Sequence, residues 1–232
     1  MQIEDSKILI TGGGTGIGLA LARQLVARGA RVAICGRRPE VLERTAAELG
    51  VLAIPCDVAD EDQVTRMYAR LDEAFGGIDA LINNAAFGYR ASLLDTDRAS
   101  FESVLATNVT GAMLVGREAA KRMVARSSGS IVNVGSTAAR RGYPGGGAYA
   151  ASKFALSGLT ECWRAELRTA GVRVMQINPS EVITPFGGRE DQTERPDRLR
   201  AVDVAQLVIA CLEMDDRGFV TEATLWATNP VS

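Results

Sequence analysis

Six short apolar runs recur along this chain, and between successive runs lie longer stretches with the period of an amphipathic helix. The runs are KILIT (Lys7–Thr11), RVAIC (Arg31–Cys35), VLAIP (Val51–Pro55), IDALIN (Ile78–Asn83), SIVNVG (Ser130–Gly135) and VRVMQIN (Val172–Asn178). Each is almost continuously apolar rather than alternating, which is how parallel strands covered on both faces read. Helices are predicted over Gly16–Arg28, Pro39–Leu49, Asp60–Phe75, Arg98–Arg126 (with a break inside it open) and Tyr149–Thr169. Gly29, Gly50 and Gly76 follow the first three, where helices commonly stop. A helix over Val202–Met214 and a strand within GFVTEATLWA close the chain. Strict β-α alternation from end to end restricts the fold to the α/β class: a doubly wound parallel sheet of about seven strands with helices on both faces. There is no repeat, linker or low-complexity tract, so residues 1–232 are read as one domain.

Composition narrows the function. The net charge is -2, with basic and acidic residues interspersed, so no basic stripe offers itself to a phosphate backbone. The start, MQIEDSK, is acidic where a secretory leader would be basic and then apolar, and no apolar run reaches the length of a membrane span. The expectation is a cytoplasmic protein with neither a nucleic-acid nor a membrane partner. Histidine is absent. Cys35, Cys56, Cys162 and Cys211 lie far apart, with no C-x-x-C pair, so they are expected to be small core residues rather than zinc ligands or nucleophiles.

The first strand runs into TGGGTGIG (Thr11–Gly18) and then a helix. Glycines at this place allow a tight turn and a close approach of backbone N–H groups to a pyrophosphate at the positive end of the helix. A plain strand-to-helix turn explains one glycine, not five in eight residues. Gly12, Gly14, Thr15, Gly16, Ile17 and Gly18 are therefore the predicted phosphate cradle. The second strand ends in Gly36, Arg37 and Arg38, with no acid before Glu40. An acid there would bind the adenosine ribose of NAD, whereas arginine accommodates the 2'-phosphate of NADP. Arg37 is read as the phosphate contact and NADP(H) as the cofactor; for Arg38, phosphate contact and plain solvation stand nearly even. Asp57 in CDV, with Val58 beside it, either reaches the adenine or begins the next helix.

The chain resembles the short-chain dehydrogenase/reductase family over nearly its whole length, and within it the 3-oxoacyl-carrier-protein reductase-like members. TGGGTGIG, NNAA at Asn83, TNVTG around Asn108, IVNVGS ending at Ser136, YAASK at Tyr149 and NPSEVIT from Asn178 occur in the family's order. Thirteen residues separate Ser136 from Tyr149, which is the family's spacing. The resemblance implies a Rossmann-type fold with dinucleotide binding in the N-terminal half and catalysis in the C-terminal half. It implies a tetrad of Asn108, Ser136, Tyr149 and Lys153, with Tyr149 and Lys153 also touching the cofactor. Asn83 and Asn84 would brace the fourth strand against the cofactor, Asn84 and Ala85 would be among its contacts, and Pro179 to Thr184 would curve around the nicotinamide with the Val182 backbone at its carboxamide. A homodimer or homotetramer is the family's habit.

Physical chemistry bears on the pair directly. Tyr149 and Lys153 lie one helical turn apart on one face. A phenol with an unperturbed pKa of ~10 must fall by about 3 units to work well at neutral pH. One ammonium at ~5 Å in an effective dielectric of ~20 supplies on the order of 3 kcal/mol toward that. The expectation is thus that Lys153 lowers Tyr149. Ser136 would hydrogen-bond and polarise a carbonyl oxygen, or else cap its loop.

Departures from the family pattern are Ala86 and Ser180 where glycine is commoner, a short segment after Thr184, and a C-terminus without the glycine-rich ending of 3-oxoacyl-carrier-protein reductases. Gly187–Arg198 is polar and charged and is the candidate lid. Phe87, Tyr89, Arg90, Arg140, Tyr143, Glu181 and Phe186 are the candidate substrate contacts, and Gly145–Gly147 should leave the approach to Tyr149 free of side chains. The reading favoured is NADPH-dependent reduction of a carbonyl to an alcohol. An NAD-dependent alcohol or sugar dehydrogenase of the same fold, and a non-catalytic dinucleotide sensor, are the alternatives.

Overall fold

The computed structural model describes residues 1–188, 195 and 197–228. β1 (Lys7–Thr11) leads to α1 (Gly16–Val26), β2 (Arg31–Gly36) to α2 (Pro39–Leu49), and β3 (Leu52–Pro55) to α3 (Glu61–Phe75). β4 (Ala80–Asn83) is followed by α4 (Arg98–Leu105) and α5 (Ala112–Ala125), joined through π-helical residues Ala106–Gly111. β5 (Gly129–Val134) passes through a 3-10 turn, Thr137–Ala139, to α6 (Gly147–Leu167) and β6 (Val172–Pro179). β7 (Val182–Ile183), β8 (Leu199–Arg200), α7 (Ala201–Glu213) and β9 (Glu222–Leu225) complete the described chain. The seven-stranded sheet has the order β3-β2-β1-β4-β5-β6-β9 and is parallel throughout; β7 and β8 form a separate parallel pair. The strand order reverses between β1 and β4, so the crevice for a ligand opens beyond the carboxyl ends of those strands.

The continuous apolar runs have a direct cause. Within β1, Ile8 and Ile10 join Leu21 and Leu25 of α1 and Val204 and Val208 of α7 in one core layer. Leu9, between them, faces the other way and joins Val64, Met67 and Tyr68 of α3 and Val115 and Ala119 of α5. Successive side chains of a strand point to opposite faces, so a strand between two helical layers must be apolar at every position. The buried Tyr68 hydroxyl donates to the Val115 carbonyl at 2.8 Å, so its burial leaves no polar atom unpaired.

One local feature answers a point the sequence left open, and another differs from the sequence reading. The helix over Arg98–Arg126 is interrupted by π-helical residues at Ala106–Gly111, where it passes close to the turn after β3: a Cβ on Gly111 would lie 2.7 Å from the Val58 side chain. Cys35, Cys56 and Cys211 are core residues as expected, but Cys162 is exposed on α6. Among the described residues, no helix is long and apolar enough to cross a membrane.

Candidate active site

The loop after β1 holds its shape through backbone and side-chain bonds to two neighbouring strands. Gly12 takes φ +66°, and its N–H donates to the Cys35 carbonyl at 2.8 Å. The Thr11 hydroxyl accepts the N–H groups of Asn84 and Ala85, each at 2.9 Å, while the Asn84 amide donates to the carbonyls of Thr11 and Gly12. The predicted bracing role of Asn84 is thus exerted on the glycine loop itself. Asn83 points the other way, to Asn133 and the Ala112 carbonyl, and ties β4 to β5 and α5. A Cβ on Gly18 would sit 2.2 Å from the Gly12 carbonyl oxygen, so only glycine lets α1 begin against the loop. The first-turn N–H groups of such a helix have no intrahelical acceptor and present partial positive charge to the crevice.

A cleft of about 1070 Å³ runs from this loop along the carboxyl ends of the strands. Gly12, Gly14, Thr15, Gly16 and Ile17 line it, as do Arg37, Arg38, Asp57, Val58, Asn84, Ala85, Pro179, Val182 and Thr184; Gly18 stands just behind the lining. A glycine-walled cradle at a helix N-terminus, with backbone that no side chain could approach as closely, suits the diphosphate of a dinucleotide. At the far end of β2, Arg37 and Arg38 are exposed and, among the described residues, neither pairs with a carboxylate. The Arg37 guanidinium lies 5.7 Å from the centroid of the Phe87 ring, and Arg38 stands at the N-cap of α2. Asp57 closes a local turn by accepting the Ala59 N–H at 3.0 Å; the helix that follows is capped by Asp60, not by Asp57.

At the other end, α6 brings Tyr149 and Lys153 to the floor of the cleft, and the turn after β5 brings Ser136 beside Tyr149. Lys153 is buried at 3% exposure and donates its Nζ proton to the Val134 carbonyl at 2.7 Å. Its Nζ lies 5.7 Å from the Tyr149 ring centroid. The electrostatics differ from expectation. Burial pushes Tyr149 up to about 12, opposed by the neighbouring Ser136 side chain and helped by the nearby Tyr143, while burial pushes Lys153 down to about 8. In the chain itself desolvation outweighs any lowering of the phenol by the ammonium, which is turned toward a backbone oxygen. The side chains therefore hold Tyr149 as a neutral phenol at neutral pH.

Ser136 caps its turn, accepting the Ala138 N–H at 3.1 Å, as the second reading of this serine expects. Asn108 is buried behind the cleft rather than lining it. Its amide accepts the Phe87 N–H at 3.0 Å and donates to the Phe87 carbonyl at 2.9 Å and the Ser152 hydroxyl at 3.0 Å. It clamps the segment after β4 onto α6, next to Lys153.

Phe87, Tyr89, Arg90, Tyr143, Glu181 and Phe186 line the cleft as predicted, and the Phe186 ring lies 5.4 Å from that of Tyr149. Arg140 does not: it pairs with Glu222 at 2.6 Å, and its neighbour Arg141 faces the cleft instead. Nothing in the local sequence separates two adjacent arginines on a turn. Of the glycines before Tyr149, Gly147 opens onto free space and Gly145 meets only the Ala91 carbonyl oxygen at 3.8 Å, but Gly146 does not follow them. The Tyr143 ring folds over Gly146, where a Cβ would come within 2.3 Å of it. Of the candidate lid, residues 189–194 and 196 lie outside the described residues.

Comparison with known proteins agrees with this geometry. The family model for short chain dehydrogenase matches residues 6–195. A sorbitol dehydrogenase of Cereibacter sphaeroides is 38% identical over 185 residues, which cover 78% of this chain and 72% of that protein. Among solved structures, an alcohol dehydrogenase from the archaeon Thermococcus sibiricus, complexed with 5-hydroxy-NADP, superposes with a TM-score of 0.91 at 26% identity, covering 98% of each chain. A 3-ketoacyl-(acyl-carrier-protein) reductase from Brucella melitensis, complexed with NADH, gives 0.90 at 26% identity, over 99% of this chain and 100% of that one. The fold and the cleft together define an oxidoreductase on a doubly wound sheet. The chain belongs to the short-chain dehydrogenase/reductase family.

Proposed function

We propose that this protein is an NADPH-dependent reductase of a small carbonyl compound, with Tyr149, Ser136, Lys153 and Asn108 as its catalytic set. The observation that carries the reading is the convergence of Ser136, Tyr149 and the buried Lys153 in the same cleft as the glycine loop. A bound nicotinamide dinucleotide supplies the hydride for a carbonyl carbon. The chain supplies the rest. Ser136 donates to the carbonyl oxygen and fixes it beside Tyr149. Tyr149, kept neutral by burial, gives its proton to that oxygen as negative charge develops. Lys153 stabilises the resulting phenolate by its charge, and Asn108 holds the wall around Lys153 in register.

Arg37, exposed at the end of β2 and without a carboxylate partner among the described residues, supports NADP over NAD. The likeness to sorbitol dehydrogenase favours a second reading, oxidation of a polyol with NAD, and supplies its first substrate to try. Under either reading the whole chain acts as one Rossmann unit on a small molecule, in the cytoplasm and as a homo-oligomer. The test is a panel of ketones, diketones, quinones and acyl thioesters with NADPH and NADH, set beside polyols with the oxidised cofactors. Reduction with NADPH is expected, and Arg37→Ala should weaken NADPH far more than NADH. Equal losses for the two cofactors would overturn the NADP assignment, and oxidation of polyols alone would replace the reductase reading with the second.

A further inference from the structure

From the hydrogen bonds at the end of the C-terminal strand, we infer that Glu222 is a positioning residue for Ser136, acting through the side-chain amide of Asn178. Glu222 opens β9, and its Oε1 accepts from Asn178 Nδ2 at 2.5 Å and from Arg140 Nη2 at 2.6 Å. Asn178 is fully buried in β6. Its Oδ1 accepts the Ser136 backbone N–H at 3.1 Å and the Gln176 Nε2 at 2.8 Å, and that same Gln176 nitrogen donates to the Ser157 hydroxyl at 2.7 Å. The amide has one orientation that satisfies these partners. Turned over, its NH2 would face two donors and its oxygen would face a carboxylate. An acceptor at position 222 therefore sets which end of Asn178 meets Ser136.

The same oxygen grips the turn a second time. Arg140 follows the 3-10 turn that Ser136 caps, so Glu222 holds the segment Ser136–Arg140 at both ends, once through Asn178 and once through Arg140. The packing leaves no slack at the join: a Cβ on Gly135 would lie 2.0 Å from Asn178 Oδ1. Glu222 is not among the residues lining the cleft, so it would act on the reaction only by fixing where the Ser136 hydroxyl stands. A strand at the edge of the sheet, remote from the glycine loop, thus sets the geometry of the carbonyl-polarising group.

This inference rests on Ser136 having the role proposed above, and the test separates the two. Glu222→Met keeps the length of the side chain and removes the acceptor, Glu222→Gln keeps an acceptor and removes the charge, and Glu222→Ala removes both packing and acceptor. Each is made in wild type and in Ser136→Ala, and kcat, carbonyl KM and the NADPH dissociation constant are measured on the full chain. The expected result is a kcat lower by about ten- to a hundredfold for Glu222→Met and Glu222→Ala, as misplacement of a reacting group produces. The NADPH dissociation constant stays unchanged, Glu222→Gln recovers most of the rate, and no further loss appears in the Ser136→Ala background. Equal losses in both backgrounds, a parallel weakening of NADPH, or an unchanged kcat would overturn the inference while leaving Ser136 in place. A Ser136→Ala variant as active as wild type would instead remove the reading on which it rests, and the inference with it. If Glu222→Ala does not fold, Glu222→Met carries the same comparison.

Discussion

Lys153 offers a stability measurement that reports directly on the buried ammonium. Burial takes its pKa from the ordinary 10.5 to about 8, a change worth about 3 kcal/mol at ~1.4 kcal/mol per unit. The sign follows from proton binding. Below about pH 8 both folded and unfolded chains hold the lysine proton, and the folded state carries the full cost of burying the charge. Between about pH 8 and 10.5 the unfolded chain binds more protons, so stability rises with pH; it is the gain above this window that is lost as pH falls. Lys153→Met removes that titration. Urea unfolding of both proteins should show wild type gaining about 2 kcal/mol on the variant from about pH 8 to about pH 10. The bond to the Val134 carbonyl shifts the two curves apart by a roughly constant ~1 kcal/mol, so the slope carries the test, not the offset. Cys56, pushed up to about 12 by burial, titrates in both proteins and cancels from the comparison. Tyr149, raised to about 12, begins to cost stability only above about pH 10. Parallel profiles would refute the buried, desolvated ammonium. A wild type that lost ground as pH rose would mean that a partner raises the lysine instead.

Three further outcomes follow from the geometry. Gly18→Ala would force a Cβ to within 2.2 Å of the Gly12 carbonyl oxygen, so dinucleotide affinity, read by fluorescence titration, should fall at least about tenfold, with a loss of roughly 1–3 kcal/mol in stability. Asn108→Ala unties Phe87 from Ser152, and kcat should fall by more than about tenfold while the protein still melts cooperatively in calorimetry. Tyr68→Phe leaves the Val115 carbonyl without its 2.8 Å donor in the core and should cost about 1–2 kcal/mol in urea unfolding with turnover unchanged.

What could be read in the sequence was whatever depends on spacing along one element. The apolar runs gave the sheet because every strand position faces a helical layer, as Ile8, Leu9 and Ile10 do in turn. The glycine loop was legible because Gly12 and Gly18 answer to a turn and a close contact within one β-α unit. Tyr149 and Lys153 were legible because one helix carries both. What depends on distant partners was not. Whether Lys153 lowers Tyr149 depends on where its Nζ points, and the Val134 carbonyl that receives it belongs to a different element, β5. Arg140 and Arg141 are told apart by partners from the far end of the chain: Glu222 claims the first, and the second lies over the Trp226 ring. The Tyr143 ring over Gly146 likewise required the path of the loop, which composition does not encode.

The claim at the centre of this account is that Tyr149 donates the proton that completes carbonyl reduction. The direct measurement is the rate of nicotinamide absorbance change for Tyr149→Phe against wild type, on the best carbonyl substrate, with cofactor binding measured alongside. A loss of roughly a hundredfold or more in kcat, with NADPH binding preserved, is predicted for removal of a general acid. A Tyr149→Phe enzyme that turns over at the wild-type rate would contradict it.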